Sequence, residues 1–268
     1  ASGFNVRPVI TENYSGGPIQ LKDAVLSPEE FPDLNNYIGE TIISSDGTTL
    51  LGADDKAGIA EIMTALEDII KYDKPHCNIR VLFTPDEEIG KGVDFLDVPS
   101  LGCDFGYTID GGTIGELEYE NFNAASAEIT IKGKSVQPGT AKGVMLNAGL
   151  IASEFVSMMP ENETPSTTEG YEGFYHLSEI SGSVSKAKVC YIIRDFDSDN
   201  FERRKKFIED TVNKLNVKYG NILQLEIRDQ YRNMHEVIEK NMYIIDLAKK
   251  SMADTGITPI IQPIRGGT

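Results

Sequence analysis

Histidine and cysteine are scarce in this chain, long apolar runs are missing, and basic residues are heavily outnumbered. The three cysteines, Cys77, Cys103 and Cys190, lie far apart and form no CxxC pair, which argues against a disulfide framework and for reduced thiols in a cytoplasmic protein. No stretch reaches the about 18 apolar residues that a membrane-spanning helix needs. Lys and Arg number 25 against 42 Asp and Glu, a formal charge of -17. A surface of that sign repels phosphate backbones and anionic lipid, so neither nucleic acid nor a membrane is an expected partner. Most of the acids serve solubility. The glycines of Arg265-Gly266-Gly267-Thr268 match neither GxGxxG nor a P-loop, so no nucleotide site is read there.

What is present is more telling. Three acidic points, Asp54-Asp55 in LLGADDKAG, Glu87-Glu88 in FTPDEEIG and Asp110 in YTIDGG, each follow an apolar stretch and sit beside Gly or Pro. That is how side chains are presented at the mouth of an α/β sheet, not on a solvated helix face. Asp54 to Glu88 is 34 residues and Glu88 to Asp110 is 22, each room for a strand-helix unit or a shorter crossover. Carboxylates gathered at one edge call for a counter-charge, and a pair of divalent metal ions supplying hydrolysis of a polar bond is the leading expectation.

With 268 residues and 40% apolar content, the chain can hold one large or two medium domains. Residues 1 to 50 read as short extended segments and loops. Ile59, Ile62, Met63, Leu66, Ile69 and Ile70 fall at helical spacing, which predicts a buried-face helix to about Tyr72. Strands are expected over Ile79 to Phe83 and Phe105 to Ile109, each delivering an acidic point. The order argues for a mostly parallel sheet with covering helices. The pattern then changes to strand (Ala125 to Ile131), helix (Val144 to Met159), strands (Gly173 to Ile180, Ala187 to Ile193), helix (Phe201 to Leu215) and strand (Leu223 to Ile227). This is the βαββαβ, ferredoxin-like order. A helix over Val237 to Met252 and a strand over Ile257 to Ile264 resume the first style. The fold class is therefore α/β: a mostly parallel-sheet domain (1–119 and 232–268) with an inserted ferredoxin-like α+β domain (120–231), and a ligand cleft between them.

Each candidate has a plainer reading. Asp54 or Asp55 could simply cap the following helix, although capping uses one Asp and leaves the other to explain. Asp86-Glu87-Glu88 could be a solvated acidic turn, yet adjacent acids also suit a division between metal ligand and proton carrier. Asp110 before two glycines could be a turn former. Oxygen ligands alone would suit Mg or Mn, whereas zinc usually takes histidine. His76, His176 and His235, the only histidines, sit at none of these strand ends and read as structural or surface residues. Arg194, at the end of an apolar strand, could simply pair with its neighbour Asp195. Arg265, at a strand end next to glycines, could clamp a carboxylate bidentately or be a plain surface arginine.

Read in order, LLGADDKAGIAEIMTAL, RVLFTPDEEIGKG, YTIDGG, GELEYENFNAASAEI, PGTAKGVMLNA, EGYEGFYHL, YIIRDFD and PIRGGT closely resemble peptidase T, the tripeptide aminopeptidases of the co-catalytic di-zinc peptidases, across essentially the whole chain. The resemblance implies that Asp54 bridges two zinc ions, that Glu88 and Asp110 each hold one, and that Glu87 is the general base. It also implies an inserted lid carrying dimer contacts, short peptides as substrates, and Arg194 and Arg265 lining the substrate end. Gln137 stands where the family's His-Pro-Gly-Thr-Ala-Lys motif has its histidine, and an uncharged amide should stabilise an oxyanion less well. The family's His-x-Asp and last zinc histidine would fall before Ala1 and beyond Thr268. The chain opens without Met and stops in a glycine-rich turn, so both ends are expected to be cuts. This segment alone should then bind zinc weakly and have little peptidase activity. Rival readings are a related di-zinc carboxypeptidase, dipeptidase or N-acyl amino acid deacylase, and a non-catalytic peptide-binding or dimerisation module.

Overall fold

The computed structural model describes residues 3–266. The fold is α/β, and the chain divides between Thr113 and Ile114 into two compact units.

In the first unit, strands β1 (Pro8–Thr11) and β4 (Ile42–Ser45) pair antiparallel, as do the two-residue strands β2 (Ile19–Gln20) and β3 (Val25–Leu26). Helix α1 spans Lys56–Lys71, as the apolar spacing predicts, and the short α2 spans Val98–Leu101. Two expectations differ. Residues 79–83 and 105–109 form no ladder among the described residues, and Val81, Leu82, Phe83, Phe105 and Tyr107 are exposed. A central parallel strand needs neighbours along both edges and cover on both faces, and the exposure of these side chains shows that the cover is incomplete. Periodicity reports that a segment suits a buried sheet; it does not supply the partner.

The second unit is built on a four-stranded antiparallel sheet in the order β7-β8-β6-β9, from β6 (Asn123–Lys132), β7 (Phe174–Gly182), β8 (Lys186–Asp195) and β9 (Leu223–Tyr231). Helices α3 (Ala148–Ser157) and α4 (Ser198–Tyr219) cross from β6 to β7 and from β8 to β9, which completes the ferredoxin-like topology. Alternate residues of β6 (Ala125, Ala127, Ile129, Ile131) and β8 (Ala187, Val189, Tyr191, Ile193) face one core with Ile151 and Phe155 of α3 and Phe201, Ile208, Val212 and Leu215 of α4. Helix α3 starts at Ala148 rather than Val144 because Asn147 Oδ1 accepts the amides of Gly149 and Leu150, and because Leu146 exchanges backbone hydrogen bonds with Lys134.

Beyond β9 the expected single helix is broken into α5 (His235–Ile238), a 3-10 turn (Glu239–Asn241) and α6 (Tyr243–Asp254). Asn241 Nδ2 donates to the Val237 carbonyl, a side-chain bond that competes with the helical ladder. Strand β10 is only Ile260–Ile261, paired parallel with β5 (Glu116–Leu117). The contact continues as Ile264 N–H donates to the Glu120 carbonyl. Where the polypeptide enters and leaves the sheet unit, three asparagines tie the two crossings together. Asn233 N–H donates to Asn123 Oδ1, Asn121 N–H to Asn233 Oδ1, and Met234 N–H to Asn121 Oδ1. Asn123 Nδ2 and Asn233 Nδ2 both donate to the Phe196 carbonyl, so the buried amides are well satisfied.

Candidate metal centre

The first unit gathers the acids by close backbone approach. A Cβ on Gly58 would lie 2.4 Å from the Ile109 carbonyl oxygen, and one on Gly111 2.8 Å from the Asp54 nitrogen, so only glycine lets the segment ending at Asp110 lie against the start of α1. The Asp54–Asp55 peptide bond is cis. Asp55 occupies the N-cap of α1, but its side chain accepts no hydrogen bond from the helix amides. The capping explanation for this pair is thus not realised.

Asp54 stands next to Asp110, and hydrogen bonding to Asp110, followed by the Asp110 charge, holds the Asp54 pKa above its ordinary value. Desolvation and the charges of Glu88 and Glu87 push the same way. Asp110 also accepts the Gly111 amide at 2.6 Å. Glu87 and Glu88 lie on a 3-10 turn (Glu87–Ile89) that follows Asp86 in the left-handed region and ends at Gly90 in the same region. Among the described residues no three of His, Cys, Asp and Glu close into a metal-holding group. Asp54 and Asp110 are neighbours, with Glu87 and Glu88 in electrostatic reach. This all-oxygen set of like charges fits a divalent cation, which would offset their mutual repulsion.

The residues expected at the substrate end lie in the second unit. Gln137 precedes a 3-10 turn (Pro138–Thr140); its carbonyl accepts the Thr140 amide, and its side chain is exposed. Arg194, near the end of β8, donates to Gln230 Oε1 and to the Ile193 carbonyl, both at 3.1 Å, and stacks over Tyr231. The pairing of Arg194 with Asp195 is absent: Asp195 is buried and accepts Arg204 Nε at 2.6 Å. Arg204 also binds Glu163, and the three charges border a cavity of about 430 Å³. Sequence reading missed this triad, since Arg204 stands next to Arg203 on α4 and only the sheet geometry selects it. Arg265 donates to carbonyls of the 168–172 loop.

Comparison with known proteins gives these features a class. Residues 119–220 match the family model of the peptidase dimerisation domain, which covers most of the ferredoxin-like unit. Crystal structures of aminopeptidase PepT from Bacillus cereus (24% identity, TM-score 0.71) and of a tripeptidase from Staphylococcus aureus (26%, TM-score 0.73) each superpose on 84% of this chain and 61% of theirs. The chain therefore has the fold of a two-part peptidase with a dimerisation domain. The curated peptidase T of Halothermothrix orenii is 53% identical over 100% of this chain and 67% of its own length. That of Caldanaerobacter subterraneus is 55% identical over 99% and 66%. The chain belongs to the peptidase T family. It spans about two thirds of the length of the curated relatives it matches.

Proposed function

We propose that the family-length protein is a tripeptide aminopeptidase, a metal-dependent hydrolase that releases the N-terminal residue of short peptides. The observation that carries this reading is the close approach at Gly58 and Gly111 that sets Asp110 beside Asp54, with Glu87 and Glu88 in electrostatic reach. The names of the relatives support the substrate class. In this reading Asp54, Glu88 and Asp110 would supply the carboxylate ligands of a pair of zinc ions. The chemistry that the metal pair supplies when bound is Lewis-acid polarisation of the scissile carbonyl and of water. Glu87 accepts the proton of the attacking water and returns it to the leaving amine. Gln137 donates a hydrogen bond to the developing oxyanion, without the charge that a histidine could add. Arg194, and Arg265 through the loop that it holds, border the substrate end.

Residues 120–231 act as an inserted lid between catalytic segments 1–119 and 232–268, and the match to a dimerisation domain supports a homodimer through it. The three cysteines, all unpaired, support a cytoplasmic setting. Among the described residues no helix is long and apolar enough to cross a membrane.

In the family-length protein, Glu87→Gln should abolish nearly all tripeptide turnover while metal content is retained. Substantial residual turnover would sink the assigned base. A panel of di-, tri- and N-acyl peptides separates this activity from that of a related dipeptidase, carboxypeptidase or deacylase. Gln137 in place of a histidine favours one other reading, a peptide-binding or dimerisation module. Peptide binding without hydrolysis by the metal-loaded protein would establish it.

A further inference from the structure

The surroundings of Arg265 differ from those of a residue waiting for a substrate. Nη1 donates to the carbonyls of Gly170 (2.6 Å) and Glu172 (2.9 Å), and Nη2 to the carbonyl (3.3 Å) and hydroxyl (3.1 Å) of Thr168. All four terminal N–H bonds of the fork are thus engaged by one loop, at every second residue. The Thr168 hydroxyl in turn donates to the Thr164 carbonyl, extending the chain of bonds to the loop's start. The guanidinium also lies 5.4 Å from the ring centre of buried Phe122 and 5.8 Å from that of Phe174, which fixes its plane. Binding a carboxylate through both terminal nitrogens would release two of these four acceptors, at least one of them a backbone carbonyl left orphaned.

The same loop forms one wall of the 430 Å³ cavity through Thr168, Tyr171 and Glu172, opposite Asp195 and Arg204. Tyr171 packs edge-on against Phe196 at 5.1 Å. We infer that Arg265 is a positioning residue, a latch that fixes residues 168–172 from the return segment of the chain and so sets the shape of that cavity. This goes beyond the proposed reaction and does not depend on it.

Hydrogen exchange on this chain tests the latch without any need for turnover. The reporters are the amides of Glu169, bonded to Glu172 Oε2, and of Glu172, bonded to the Glu169 carbonyl. In Arg265→Ala both should exchange at least about tenfold faster, while Ile129 and Val189 in the sheet are unchanged. Added methylguanidinium should restore the protection, and Arg265→Lys, which keeps the charge but lacks the fork, should fall between. Unaltered loop exchange in Arg265→Ala would overturn the inference. So would faster exchange spread equally over loop and sheet in both variants, since a general loss of stability is not a latch.

Discussion

The two units of this chain solve the burial problem differently. The sheet unit closes a continuous core whose buried members run from Ala125 to Leu223. In the first unit Tyr14 and Ile19 are the buried apolar side chains among the described residues, and α1 shows Ile59, Met63 and Ile70 to solvent. Yet the carboxyl pair stands in the first unit, and the engaged arginines stand in the second. The contrast teaches that close backbone approach at two glycines is enough to bring acids together, whereas holding them rigidly needs covered strands. Residues 79–83 and 105–109 are where that cover is lacking.

The sharpest way to break the comparison is to truncate one large apolar side chain in each unit. Phe155→Ala, at a fully buried position, should cost about 3–5 kcal/mol of stability in denaturant titration of the sheet unit. An equal cost for Met63→Ala, half exposed on α1, would contradict the difference between the units. Next in size is metal: zinc at about 100 times its dissociation constant should stabilise by about 2.7 kcal/mol. Exchange protection should rise at residues 54–58 and 109–111 and not in β6 or β8. Asp54→Asn should remove the effect, and calorimetry on this chain should find weak binding; tight uptake of two ions would refute that part.

A smaller effect comes from alkali. Burial raises the Tyr175 phenol from 10.0 to about 12. A proton held more tightly in the folded state means that stability is complete below pH 10 and is lost as pH rises from about 10 to 12. Tyr175→Phe should make that limb of the sheet unit's stability profile shallower, the remainder coming from Tyr191, which burial also raises to about 12. The smallest expected change is Met63→Ala itself, within about 0.5 kcal/mol by the same denaturant measurement.

The sequence made some of this legible for identifiable reasons. Alternation in β6 and β8 and helical spacing in α1 and α4 are local, and local periodicity reads directly into structure. The expected strands at 79–83 and 105–109 depended on partners that no local pattern contains. The break at Glu239–Asn241 turned on one asparagine side chain choosing a carbonyl. Among the site residues, Asp54 and Asp110 are expected at neighbouring strand ends, but what sets them side by side is the close backbone approach at Gly58 and Gly111, which no apolar pattern announces. Arg204 rather than Arg194 reaches Asp195 because adjacent residues of β8 point to opposite faces and Asp195 is on the buried one, so sequence neighbours mislead there.

The asparagine tie between residues 121–123 and 233 has a modular consequence. Because entrance and exit are bonded side by side, the two crossings between the sheet unit and its flanking segments lie next to each other. A host protein with one surface turn could accept residues 120–234 as a graft without its own ends being prised apart. The same adjacency would let the unit be circularly permuted, its old termini joined by a short linker and new ones opened in the loop between β7 and β8.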